Sequence, residues 1–258
     1  MYIDSHAHLT SDKMIDQTET MIERAKQAGV EKIVNICTDE KSLDKGLELA
    51  KRFDWIFNTA ATTPHDVETD GELFFPLVEN AARNRDLIAI GETGLDYHYE
   101  YSPRELQKEY LIRYLHLAFE FLLPVVIHCR DAFSDLFSIA DSEYKNGPAV
   151  LHCFTGTLDE AKEVLKRNWY ISCSGIITFK KSIELREAIR FVPLDRLLVE
   201  TDAPYLAPQS RRGKMNEPSF IPEIVEAIAQ VKGIQPEEVA RQTSENANQF
   251  FLFQKTKQ

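Results

Sequence analysis

The chain has 258 residues, 43% hydrophobic and 28% charged, with 10 glycines and 11 prolines. These values exclude a disordered, collagen-like or disulfide-stapled protein. Thirty basic residues against 41 acidic ones leave a net charge of −11, which repels nucleic acid at long range.

Short apolar, β-branched runs recur along the chain, at 1–7, 32–38, 56–61, 87–92, 124–129, 148–153, 169–174 and 196–201. Each is predicted as a strand, and the charged amphipathic segments between them as helices. The clearest helix covers 102–122, where Ser102-Pro103 supplies an N-cap followed by proline in the first turn. Two more are predicted over 217–231 and 236–253, separated by Gly233 and Pro236. Alternating strands and helices demand parallel pairing. Eight strands in a chain of this length favour a closed (β/α)8 TIM-type barrel over an open sheet. No linker or break in composition divides the sequence, so one domain over 1–258 is expected.

Cys37, Cys129, Cys153 and Cys173 form no CxxC pair and no disulfide framework. The longest apolar run, Phe121–Ile127, contains Pro124 and is far too short to span a membrane. The opening MYIDSHAHL lacks the pattern of a signal peptide. A reduced, cytoplasmic, monomeric protein with no membrane contact is expected.

The chemistry gathers at strand ends. His6 and His8 close the first run, and residues two apart on a strand share a side. Glu92 closes the fourth run, His128 the fifth, His152 the sixth and Asp202 the eighth. All fall on the C-terminal edge, where parallel α/β folds collect their ligands. Barrel closure sets strand one beside strand eight, which makes His6, His8 and Asp202 neighbours. Six donors exceed what one tetrahedral zinc takes, but they suit two cations sharing a carboxylate. Glu92, on a middle strand, is the expected bridge. His6, His8 and Asp202 then complete one site, and His128 with His152 the other. Cys129 and Cys153, each following a histidine, are expected to point away from the pocket. Glu200 shares the parity of Asp202 and is expected to face inward one layer down, in an ion pair and not as a ligand; Asp4 relates in the same way to His6 and is expected to orient its ring.

Basic residues add a second pattern. Arg130 follows strand five, Lys180 and Lys181 follow strand seven, and Arg211, Arg212 and Lys214 follow strand eight. A cationic collar on this rim would bind phosphates despite the global charge.

Taken together, the stretches IDSHAHL, IGETGLDY, LPVVIHCRDA, LHCFTGT, SGIITFK, LLVETDAPYLAP and RGKMNEP resemble the TatD family of metal-dependent hydrolases, within the amidohydrolase-like barrels. The resemblance runs through nearly the whole chain. It implies the barrel, a two-metal site (Mg, Mn or Zn) on His6, His8, Glu92, His128, His152 and Asp202, and deoxyribonuclease activity. After strand three the family often reads Gly-x-His-Pro-His, whereas this chain reads Ala61-Thr62-Thr63-Pro64-His65, which leaves His65 as the histidine implied to touch substrate. Met215 stands where the family often has an arginine.

The expected function is hydrolysis of DNA phosphodiester bonds, as a 3′-to-5′ exonuclease on single strands. Glu92 and Asp202 are the expected catalytic carboxylates, with Asp202 drawing a proton from the attacking water. His65, Arg130, Arg211 and Arg212 are the expected substrate contacts. The alternatives are an amide or ester hydrolase on the same barrel, acting on an aminoacyl-tRNA or a small molecule, and, last, a non-catalytic metal-binding accessory protein.

Overall fold

A computed structural model describes residues 1–253; the last five residues of the expected 1–258 domain lie outside the described residues. Eight strands form one sheet in chain order, every neighbouring pair parallel. They are β1 (Tyr2–Ala7), β2 (Val30–Cys37), β3 (Ile56–Ala60), β4 (Leu87–Asp96), β5 (Val125–Arg130), β6 (Ala149–Leu151), β7 (Tyr170–Cys173) and β8 (Leu197–Val199). Between them run α1 (Thr18–Gln27), α2 (Glu40–Arg52), α3 (Val67–Arg83), α4 (Arg104–Phe121), α5 (Phe133–Glu143), α6 (Leu158–Lys166) and α7 (Ile183–Phe191), followed after β8 by α8 (Ile221–Lys232) and α9 (Pro236–Phe251). This is the TIM-type barrel the strand count predicts.

Closure is made just beyond β8. The Asp202 N–H donates to the His6 carbonyl at 2.9 Å, and the His8 N–H donates to the Ala203 carbonyl at 2.7 Å. Ser5 Oγ donates to the Val199 carbonyl across the same seam. The seam therefore passes through three of the candidate ligands.

Ile3, Val34, Ile36, Phe57, Ile88, Val126, Val150 and Leu198 come from strands all round the barrel and form one buried cluster with Phe250 and Phe251 of α9. That apolar interior is plugged at one end by α9, so polar residues collect at the other. A larger apolar layer joins the outer faces of the strands to the helices.

The strand ends differ from the sequence expectation in an instructive way. β4 runs on to Asp96, past the expected end at Glu92, with an irregular register between Ile90 and Thr93. Gly94 makes this possible: its φ is +149°, and a Cβ there would lie 1.9 Å from the His128 carbonyl oxygen of β5. Gly94→Ala must push β5 away at a candidate ligand. It is expected to cost about 3 kcal/mol or more of stability, read from denaturant melts, with metal affinity falling in parallel. β6 and β8 end sooner than expected, leaving His152 one residue and Asp202 three residues beyond their strands.

Candidate metal centre

His6, His8, Glu92, His128, His152 and Asp202 meet at the C-terminal rim. Their arrangement is organised by Glu92. Its Oε2 lies 3.4 Å from His6 Nε2 and 3.6 Å from His8 Nε2. Its Oε1 lies 3.0 Å from His128 Nδ1 and 2.9 Å from His152 Nε2. Asp202 Oδ1 faces the first pair, 3.7 Å from His6 Nε2 and 3.5 Å from His8 Nε2. Within each pair the ring nitrogens are 3.3 Å apart.

Those spacings test whether the donors fit metal ions. Ligands about 2.1 Å from a tetrahedral cation stand about 3.4 Å from one another, and the donors here cluster around that separation. Imidazole and carboxylate donors together suit transition-metal cations. The residues fit. Every one of these side chains is buried or nearly so, and His6 Nδ1 has no hydrogen-bond partner among the described residues. Uncompensated groups of this kind are costly unless a charge partner completes them.

The electrostatics agree with a carboxylate held ionised among imidazoles. Burial opposes the charge on Glu92, but His152 and the hydrogen bonds from His128, His152 and His6 hold its carboxyl well below the usual range. Burial likewise disfavours protonated His152, yet Glu92 and Glu200 raise its pKa well above the usual value. His6, with burial and the nearby His152 outweighing its carboxylates, is shifted down.

The supporting residues come from neighbouring elements. Glu200 Oε1 accepts the Cys153 backbone N–H at 2.6 Å and stands 3.4 Å from His152 Nδ1, as the strand parity predicts. Asp4 departs from expectation. It accepts the backbone N–H groups of His6 and Thr201, so it fixes the chain on both sides of the seam and not the His6 ring. Cys129 is buried in the strand–helix layer, as expected. Cys153 is not directed away from the pocket. It lies past the end of β6 with φ +44°, its Sγ meets Ser174 Oγ at 3.2 Å, and burial with the charges of Asp202, Glu200 and Glu92 pushes its thiol well up.

Asp96 carries a role the sequence reading missed. Its Oδ2 lies 3.0 Å from His128 Nε2 and 3.7 Å from His65 Nε2. With a cation bound, a proton on His128 Nε2 donated to Asp96 would leave the Nδ1 lone pair for the metal, the usual way a ligand ring is oriented. Although burial raises it, the bonds from His128 and from the Tyr99 N–H bring the Asp96 carboxyl down to about 2. Asp96→Asn is expected to weaken metal affinity about 10- to 100-fold, measured by competition with a chromogenic chelator. A signal was available: Asp96 falls four residues after Glu92 on one strand.

His65, on the loop after β3, reaches the same cluster, its ring 5.5 Å from that of His128. The basic collar is less uniform than its sequence suggests. Arg130 has no carboxylate partner among the described residues and lies 5.9 Å from the Tyr99 ring centre. Arg211 instead donates to Glu223 at 2.8 Å and covers the Phe220 ring, which offsets its charge. Arg212 lies over Phe179.

A closed parallel barrel with histidines and carboxylates converging on its C-terminal rim defines a metal-dependent hydrolase. The chain matches the family described as TatD related DNase over residues 3–252, and it belongs to that family. An uncharacterized metal-dependent hydrolase, YabD of Bacillus subtilis, is 38% identical over 252 residues, covering 97% of this chain and 99% of the relative. The 3′-5′ ssDNA/RNA exonuclease TatD of Cronobacter sakazakii is 35% identical over 255 residues, covering 96% and 97%. Among solved structures, the TatD homologue YjjV of Escherichia coli superposes with a TM-score of 0.91 at 26% identity, covering 97% of this chain and 98% of that one. No helix among the described residues is long and apolar enough to cross a membrane.

Proposed function

We propose that this hydrolase cleaves phosphodiester bonds of single-stranded DNA, removing nucleotides from the 3′ end, with two divalent cations (Mg, Mn or Zn) held by His6, His8, Glu92, His128, His152 and Asp202. The observation that carries the reading is the division of Glu92, one carboxylate oxygen facing each imidazole pair. The name of the Cronobacter relative supports the substrate class. When bound, such cations polarise the phosphoryl group and lower the pKa of coordinated water.

The chain's own groups supply the rest. Asp202 lies at the rim beside His6 and His8, where its carboxylate accepts the proton of the attacking water. Glu92 stays ionised between the two halves of the centre. Arg130, with no carboxylate partner among the described residues, and Arg212 are free to engage phosphate oxygens. His65 borders the same space. Arg211 contributes only if substrate draws it from Glu223.

The test is metal-loaded protein on 5′-labelled single-stranded DNA, with a chelated sample as control. A ladder shortening from the 3′ end, absent under chelation, supports the reading. The net charge of −11 and the pairing of Arg211 with Glu223 favour a second one, hydrolysis of an ester or amide. Intact DNA together with turnover of an aminoacyl ester would decide for it.

A further inference from the structure

The loop that follows β4 carries two tyrosines that neither fold nor metal centre uses. Tyr99 and Tyr101 are 50% and 68% exposed, yet their rings stack on each other with centres 5.4 Å apart and planes 21° from parallel. Exposed aromatic surface of this kind stands out when it is held in place. Here it is held firmly. Asp96 Oδ1 accepts the N–H groups of His98 and Tyr99 at 2.9 and 2.8 Å. At the far end of the loop, Gln107 Nε2 donates to the carbonyls of Asp96 and Ser102, and Ser102 Oγ donates to the His65 carbonyl.

The same anchors connect the loop to the metal centre. Asp96 turns its other oxygen to His128, and the His65 ring lies 5.8 Å from Tyr99 and 5.4 Å from Tyr101. The ring pair is thus one imidazole away from a candidate ligand. Arg130 adds a cation 5.9 Å from the Tyr99 ring centre. Stacked aromatic faces beside a cation are how sequence-tolerant sites hold unpaired bases.

We propose that Tyr99 and Tyr101 form a nucleobase-stacking platform that seats a base next to the scissile phosphate. The proposal rests on the phosphodiesterase reading and extends it to strand selection. An interior base of a duplex has both faces covered by its neighbours, so the platform favours a strand whose bases near the 3′ end are unstacked. It also makes the site indifferent to sequence, because every base presents a π-face.

The experiment compares wild type, the Tyr99→Leu/Tyr101→Leu double variant and the Tyr99→Phe/Tyr101→Phe double variant. Each is assayed on a single-stranded oligonucleotide and on one whose last two 3′ nucleotides are tetrahydrofuran abasic analogues. Stacking worth ~1–3 kcal/mol per base predicts that the leucine variant raises KM about tenfold or more on the base-bearing strand. Its kcat changes little, its KM on the abasic strand is unchanged, and the phenylalanine variant behaves as wild type. An equal effect on both strands, or none on either, overturns the platform. Fluorescence anisotropy of the labelled oligonucleotide on Asp202→Asn protein, with and without the leucine changes, separates the two ideas. If wild type cuts neither strand but the leucine changes still weaken binding about tenfold, the platform stands and the hydrolytic reading fails. If binding is unchanged, the platform fails.

Discussion

Asp202→Asn is expected to lower the proposed phosphodiester hydrolysis about 1000-fold or more while leaving the protein folded. The loss combines a proton acceptor, typically worth about 10²–10⁴ in rate, with a charge facing His6 and His8. Asparagine is the informative replacement because Asp202 has φ +58°, a left-handed conformation that Asn and Asp tolerate better than other non-glycine residues. The backbone bond from Asp202 N–H to His6 does not depend on the side chain, so the barrel seam survives. Single-turnover rates with metal in excess, alongside thermal melts, check both halves. A loss below tenfold with an intact fold would remove Asp202 from proton transfer.

Glu92→Gln is expected to do comparable damage by a different route. Among the described residues this carboxylate is the one that faces both imidazole pairs, so an amide weakens both halves of the centre at once. Activity should fall by about three orders of magnitude, and metal retained after dialysis, read by elemental analysis, should fall with it. The metal-free protein offers a second reading. The Glu92 pKa is depressed from its ordinary 4.5, so its contribution to stability is present above that pH and is lost as the pH falls through the lowered value. Melting curves in chelator should therefore show wild type more stable than Glu92→Gln at pH 7. The gap should narrow toward pH 3. A constant gap across that range would mean the ionised carboxylate is not what the imidazoles hold.

Much of this architecture is legible in the chain because it rests on periodicity. Parallel strands buried on both faces read as apolar runs, and each of the eight was visible. Their ends were not. β4 continues through Gly91 and Gly94 because glycine permits backbone angles and an approach to β5 that no pattern of hydrophobicity encodes. Alternation also fails once a strand has ended, and Cys153, one residue beyond His152, shows how. The six candidate ligands were readable because buried polar residues at the ends of apolar runs need a reason to be there. His65 was legible only through the motif around it. Asp96 and the tyrosines at 99 and 101 were overlooked because they lie past the expected end of β4. The spacing of Tyr97, Tyr99 and Tyr101 was the available signal.

The seam between β1 and the segment after β8 also governs timing. His6 and His8 precede Asp202 by almost 200 residues, so they are synthesised well before it. The half containing Glu92, His128 and His152 draws on three consecutive strands and can assemble from a contiguous stretch. The other half waits for the two ends of the barrel to meet. A nascent or truncated chain that stops short of residue 202 therefore lacks one of the six candidate ligands, and the full donor set exists only once the barrel has closed.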